Sequence, residues 1–463
     1  MSSNQRHRLS RRDFNLGLTS LAFAGLAACA ARPQGVQAAP AANPHGPLLP
    51  DPAGIIDLPR GFSYRIISSR GDRMDDGFVV PNRFDGMGAF ALDAQRTILV
   101  RNHELRASHA EEGPFGNAAL AGIRAFDSNG TAPLPGGTTT LVYNHRTGRV
   151  ESQHLSLVGT IRNCAGGVTP WGSWLSCEED VSLGGDGAQQ RDHGWVFEVP
   201  ARARGLVDPV PLTALGRFNH EAAAVDPETG IVYLTEDRDN GLLYRFLPDV
   251  RGQLVRGGRL QALAFAGESE GRDTRNWESA DFPAGSWRPV RWIDLDHVDS
   301  PDADDLRDRG AARGAALFAR GEGIWFGDRE LYFACTSGGA MKLGQIMRYR
   351  PSRFEGQSRE ASTPGRLQNF VESTHPDMLN YGDNVTVAPN GHLIVCEDQY
   401  TAVSRNQLRG ITPRGEVYSL AFLHLQTELA GACFSADGST LFLNIYSPGR
   451  TLAISGPWRH PVT

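Results

Sequence analysis

Arg217-Phe218-Asn219-His220-Glu221-Ala222-Ala223-Ala224-Val225-Asp226-Pro227-Glu228-Thr229-Gly230-Ile231-Val232-Tyr233-Leu234-Thr235-Glu236-Asp237 reads as two short strands around a Pro-Glu-Thr-Gly turn. A hairpin brings the chain back to the end of the sheet where it began. Glu221, entering the first strand, and Glu236-Asp237, leaving the second, therefore belong at the same edge.

The arrangement recurs. Asp85-Gly86-Met87 leads through a turn to Asn102-His103-Glu104, and Cys164-Ala165-Gly166 leads through Pro170-Trp171-Gly172 to Cys177-Glu178-Glu179. Glu322-Gly323-Ile324 returns at Cys335-Thr336, Asp383-Asn384-Val385 at Cys396-Glu397-Asp398, and Glu428-Leu429-Ala430 at Asn444. Most copies are followed by a further strand pair, and four strands per copy in radial array is the blade of a β-propeller. The expectation is an all-β, six-bladed propeller. Its copies start at 85, 164, 221, 322, 383 and 428. The uneven spacing implies long insertions between blades, the largest at residues 105–136 and 250–320. Closure is expected from the stretch Arg450 to Trp458 pairing with residues near 60–70.

Length and composition agree. The chain has 463 residues with Gly 53 and Pro 28, which suits many short strands joined by turns within one domain. A formal charge of −6 argues against nucleic acid as partner, because phosphate backbones select basic surfaces. The expected domain layout is a signal at 1–38, a linker at 39–50 rich in Ala and Pro, and a single propeller at 51–463.

The N-terminus reads as an export signal. Arg11-Arg12 precedes an apolar run from Leu16 to Ala28 that is too short to span a membrane. Paired arginines point to the twin-arginine machinery, which exports folded and cofactor-loaded proteins, so the expected location is periplasmic or secreted. Leu26-Ala27-Ala28-Cys29 resembles a lipoprotein box, and Val36-Gln37-Ala38 an ordinary cleavage site; both ends stay open. Beyond Cys29 five cysteines are left, an odd number. Four lie in apolar strand-like runs, whereas Cys164 sits in a glycine-bearing turn.

If each copy starts at one channel mouth, Asp85, Cys164, Glu221, Glu322, Asp383 and Glu428 form a ring there. The returning strands add Asn102, His103, Glu104, Glu178, Glu179, Glu236, Asp237, Glu397 and Asp398. So many carboxylates repel one another unless cations lie between them. Oxygen ligands favour calcium, while one thiolate among them favours a transition metal such as iron. No paired CxxC or HExxH spacing calls for zinc. His103 and His220 read as hydrogen-bonding supports rather than ligands. Arg320, next but one to Glu322, can neutralise the acids or hold an anionic substrate with its fork, and Lys342, after Gly338-Gly339, can serve likewise.

At these residues the chain resembles the PhoX-type alkaline phosphatases. The motifs are the twin arginines, Asn163-Cys164-Ala165-Gly166-Gly167, Cys177-Glu178-Glu179, Asn219-His220-Glu221, Arg320-Gly321-Glu322-Gly323, Cys396-Glu397-Asp398, and Phe434-Ser435 with Asp437-Gly438. The resemblance implies two irons, two to three calcium ions and a bridging oxo group at the channel mouth. It implies Cys164 between the irons, with Glu221, Glu322 and Glu428 as ligands and Glu178, Glu179, Glu236, Glu397 and Asp398 as further ligands. Arg320 would contact the phosphoryl oxygens of a small phosphomonoester. Nothing in the sequence argues for a defined oligomer, so a monomer is expected. The competing readings are a calcium-dependent propeller lactonase or esterase, and a non-catalytic binding propeller stabilised by calcium.

Overall fold

The structure, a computed structural model, describes residues 41–116, 122–300, 303–399 and 406–459. The stretch read as an export signal, with Cys29 and the two candidate cleavage sites, lies outside the described residues.

Strands run outward from a central axis in fans whose inner strands follow chain order. The first blade consists of Phe84–Ala91, Arg96–His103, Gly136–Asn144 and Arg149–Thr160; the second has Asn163–Val168, Ser173–Glu178 and Val196–Pro200. The third starts with His220–Val225 and Val232–Glu236 and continues through Leu243–Pro248 and Gly258–Phe265. Gly321–Phe326 opens the fourth, Gly382–Val387 the fifth and Leu429–Phe434 the sixth. Each innermost strand packs on that of the next blade, and the last packs on the first, so the ring closes as a β-propeller.

Closure couples the two ends of the described chain. Arg450–Ser455 pairs antiparallel with Ser63–Ser69, from Arg450 opposite Ser69 to Ser455 opposite Ser63, so the outer strand of the sixth blade precedes the first blade in sequence. Part of the stretch read as linker also joins a sheet. Leu48–Leu49 pairs with Ile56–Pro59, which in turn edges the fifth blade opposite Leu423 and Phe422.

Of the two long insertions, neither is simply inter-blade. Residues 105–136 connect the second and third strands inside the first blade. Residues 250–320 contain the outer strand of the third blade, then Trp287–Asp294, which pairs on one side with that strand and on the other with Arg366–Glu372 of the fourth. Long spacing in the sequence looked the same whether the extra chain lay between blades or within one.

Blades are covered on both faces by their neighbours, and their strands are accordingly apolar throughout rather than alternating. Val232, Tyr233 and Leu234 are all fully buried, although successive side chains point to opposite faces. Leu234 enters the cluster against the second blade, with Leu175 and Cys177. Tyr233 enters the cluster against the fourth, with Ile324 and Phe333. Each such side chain stabilises the fold by about 1.5–3 kcal/mol. Cys177, Cys335, Cys396 and Cys433 are buried and free, and serve as small core residues.

Near the axis the inner strands approach closely. A Cβ on Gly86 would lie 2.5 Å from Ala165 Cα, and one on Gly323 2.5 Å from Asn384 Cα. The glycines of these motifs are what let the ring be this tight.

Candidate metal centre

Every inner strand breaks register with its partner near its start. The shift falls between Phe84 and Met87, Asn163 and Gly166, His220 and Ala223, Gly321 and Ile324, and Gly382 and Val385. Such a bulge leaves two residues unopposed and re-aims their side chains. The first residue of each bulge is Asp85, Cys164, Glu221, Glu322 or Asp383. Five blades thus deliver a ligand-type side chain from one structural position.

Two further positions repeat around the mouth. The residue after each returning strand donates its backbone N–H to a carbonyl just before the inner strand: Glu104 to Arg83 (3.0 Å), Glu179 to Arg162 (2.9 Å) and Asp398 to Tyr381 (2.9 Å). Asp237 does the same to Asn219, Thr336 to Arg320 and Tyr446 to Glu428. Arg83, Arg162, Arg320 and Tyr381 take left-handed backbone conformations, with φ of 52°, 46°, 54° and 56°. Held there at a cost in strain, they turn the chain sharply into the strand.

The sixth blade departs from this pattern. Its register shift falls between Ala430 and Cys433, so no acid occupies the bulge. A Cβ on Gly431 would meet Asp85 O at 2.4 Å, leaving no room for a side chain. Glu428 instead stands where the other blades carry an arginine, asparagine or tyrosine, and sends its carboxylate to the cluster from there.

Three groups of side chains bring ligand atoms within 4.8 Å of one another: Glu104 with Cys164 and Glu179, Glu221 with Glu322 and Asp383, and Asp383 with Asp398 and Glu428. Asp383 belongs to two of them, and Cys164 Sγ lies 3.5 Å from Asp85 Oδ2. Both carboxylate oxygens of Glu221 and one of Asp85 are buried with no hydrogen-bond partner. Burial, followed by the neighbouring acids, raises the carboxyls of Asp85, Glu179, Glu221, Glu322 and Glu428 well above their ordinary range. Asp383 is pushed up to about 8 by burial and then by Asp398. Burial and then Asp85 raise the Cys164 thiol in the same way. Left alone, these groups would hold protons; multivalent cations relieve the same cost and leave them ionised.

Two arginines brace the acids. Arg320 forks Asp237 with Nε and Nη2 at 2.7 and 2.8 Å, and Nη2 also meets Glu322 at 3.0 Å. Arg162 holds Glu104 at 2.9 Å and pairs with the Glu179 carboxylate. On the far side of Glu104, the Tyr446 hydroxyl donates to Oε2 and accepts from Arg83 at 3.2 Å. Arg162, Arg83 and Tyr446 were not singled out from the sequence. The signal available for Arg162 was its place, two residues before Cys164 as Arg320 is two before Glu322.

Glu178, Glu236 and Glu397 are not brought to the cluster. Each is the last residue of its returning strand, one step before the mouth-facing acid, and side chains alternate along a strand. Glu178 accepts from Ile161 N (3.0 Å), His193 Nδ1 (2.7 Å), Gly194 N and Trp195 N. Arg409 Nε (2.6 Å), Asn380 N and Gln407 N bond Glu397. Glu236 accepts from Tyr244 Oη (2.8 Å) and Leu242 N. All three pin loops to blade ends. Lys342 is exposed, and its Nζ rests 4.6 Å above the Trp277 ring. Among the histidines, His220 donates to Gly216 O (2.9 Å), and burial lowers its pKa to about 3. His103 bonds Asn82 O and the Thr139 hydroxyl. Both are supports.

The donor set therefore fits metal ions: hard carboxylate oxygens, one thiol, and orphaned buried acceptors that no protein donor reaches. A family model described as alkaline phosphatase PhoX matches residues 43–449. No curated protein sequence matches. Among solved structures, Pseudomonas fluorescens PhoX in complex with vanadate, a transition state analogue, superposes with a TM-score of 0.64 at 18% identity, covering 92% of this chain and 99% of that one. A Xanthomonas campestris gluconolactonase superposes with a TM-score of 0.40 at 16% identity, covering 89% of this chain and 98% of that one.

Proposed function

The chain belongs to the alkaline phosphatase PhoX family, and from that premise we propose that it hydrolyses phosphate monoesters at a metal centre in the propeller mouth, holding two irons and two to three calcium ions with a bridging oxo group. The observation that carries the metal assignment is Glu221, whose two buried oxygens have no protein partner and face Glu322 and Asp383. Asp383 with Asp398 and Glu428 offers a second all-oxygen site suited to calcium. The thiol of Cys164, between Glu104 and Glu179, suits a softer ion such as iron. Once bound, the ions supply Lewis-acid polarisation of the phosphoryl oxygens and neutralise the charge that develops on them.

The chain's own residues keep that centre in shape. Arg162 and Arg320 fix four of the acids by forked ion pairs, so their carboxylates meet the ions without reorganising. Arg320 spends Nε and Nη2 on Asp237 and Glu322, which leaves Nη1 to donate to a phosphoryl oxygen. The Tyr446 hydroxyl holds the outer oxygen of Glu104. A calcium-only lactonase would have no use for a thiol at this position.

The twin arginines of the N-terminus support loading of the metals before export, followed by residence in the periplasm or outside the cell, as a monomer, with Cys29 as the point of any lipid anchor. The test is metal analysis of natively exported protein, paired with phosphate release from p-nitrophenyl phosphate. Iron and calcium together with chelator-sensitive release are expected. Calcium without iron, and no release, would sink the proposal.

A further inference from the structure

Beside the Glu104–Cys164–Glu179 group lies a notch of 440 Å³, lined by Arg106, Ala107, Ser108, Ile161, Arg162, Asp180 and Gln189. Arg162 is the partition between notch and centre: its guanidinium bonds Glu104 Oε1 at 2.9 Å and the Glu179 backbone carbonyl at 2.8 Å, and its side chain walls the notch. The notch thus abuts the centre across the Arg162 side chain, on the side of the first two blades, and the alcohol part of an ester held at the centre would reach it by passing over that side chain.

The notch is not neutral in character. Arg162 is spent on the two acids. Asp180 turns Oδ1 onto Ser182, to its backbone N at 2.8 Å and its hydroxyl at 2.6 Å. Arg106 is exposed, and among the described residues its guanidinium has no ion pair or hydrogen bond. On a protein of net charge −6 with acids crowded beside it, an unspent arginine next to the Ser108 hydroxyl and the Gln189 amide is a ready anion receptor.

Resting on the phosphatase reading, we infer that this notch is a specificity subsite in which Arg106 binds a carboxylate carried by the alcohol part of the phosphomonoester. Ala107 and Ile161 give it an apolar wall against the carbon skeleton, and its size admits a hydroxy acid of a few carbons. Arg106 acts on binding of the leaving portion, not on the phosphoryl group.

The test uses a matched pair of esters, 3-phosphoglycerate and glycerol 3-phosphate, which differ in a carboxylate against a hydroxymethyl group. Metal-loaded wild type, Arg106→Ala and Arg106→Glu are compared by kcat/KM. The ratio of the acid ester to the neutral one is expected to fall about fivefold in Arg106→Ala, the range of a screened exposed ion pair, and further in Arg106→Glu. The fall is expected in KM more than kcat, and raising the salt should shrink it. A ratio that stays within about twofold in both variants would overturn the subsite while leaving the phosphatase reading intact. Wild type turning over neither ester, nor p-nitrophenyl phosphate, would overturn both.

Discussion

Replacing Glu221 by Gln changes one buried carboxylate into a neutral group of nearly the same shape, and the expected effect has opposite signs with and without metal. In metal-free protein at pH 9 the Glu221 carboxyl lies buried among Glu322, Asp383, Glu179 and Asp85 with no donor to either oxygen, so it must either stay charged there or hold a proton far above its ordinary range, and both are costly. An uncompensated buried charge costs about 3–5 kcal/mol. The amide leaves a buried polar group unsatisfied, at about 1–3 kcal/mol. The variant should therefore be the more stable metal-free protein by about 2 kcal/mol, seen as a Tm higher by roughly 2–5 °C. In metal-loaded protein the same change removes a ligand from the Glu322–Asp383 group. Phosphate release should fall by about 100-fold or more, with metal content falling alongside. Scanning calorimetry on chelated and loaded samples, with metal analysis of the latter, reads both halves. A metal-free variant less stable than wild type, or a loaded variant that keeps metal and activity, would refute the assignment of Glu221 as a ligand.

Cys164→Ala should lose iron and activity together while calcium is partly retained, by metal analysis and turnover; retention of iron would make the thiol a core residue. The stability of the metal-free protein should fall as pH rises. Asp383 holds its proton up to about pH 8 in the folded chain but only to the ordinary carboxylate range when unfolded, so its contribution is present in acid and lost on the way to pH 8. Metal-loaded protein should show the reverse trend, because ions bind only the deprotonated ligands; parallel Tm–pH curves for both forms would contradict this. Glu178→Gln should lower Tm by several degrees yet keep the metals, since Glu178 ties Ile161, His193, Gly194 and Trp195 together, whereas Glu179→Gln should lose metal; equal metal loss would contradict the distinction.

The propeller could be read from the chain because its repeat is written in local chemistry. An acid or thiol, a strand, a glycine turn and a returning strand recur, and each is a short-range signal. The closing pair of Arg450–Ser455 with Ser63–Ser69 was also within reach, since a ring needs both ends. What could not be read is which of two adjacent acids faces the mouth. Glu178 and Glu179, or Glu397 and Asp398, differ by one step of strand alternation, and the bulge that sets the phase sits on the partner strand. The sixth blade was misleading for a related reason: Glu428 looked like another inner-strand acid, yet that strand's bulge is empty of acids and filled tightly at Gly431. Arg162 and Tyr446 were hidden because their roles depend on left-handed backbone and on a contact across 342 residues of sequence. Lys342 was drawn in by nearness in sequence to a glycine turn; in space it rests on Trp277.

The most direct test of a metal-dependent phosphatase centre in this mouth is phosphate release from p-nitrophenyl phosphate, followed while the native protein is stripped by chelator and then refilled. Activity should fall to background in step with the loss of iron and calcium and return only when both are restored. Full activity in protein shown to be free of metal, or no activity in protein shown to carry both, would contradict the account.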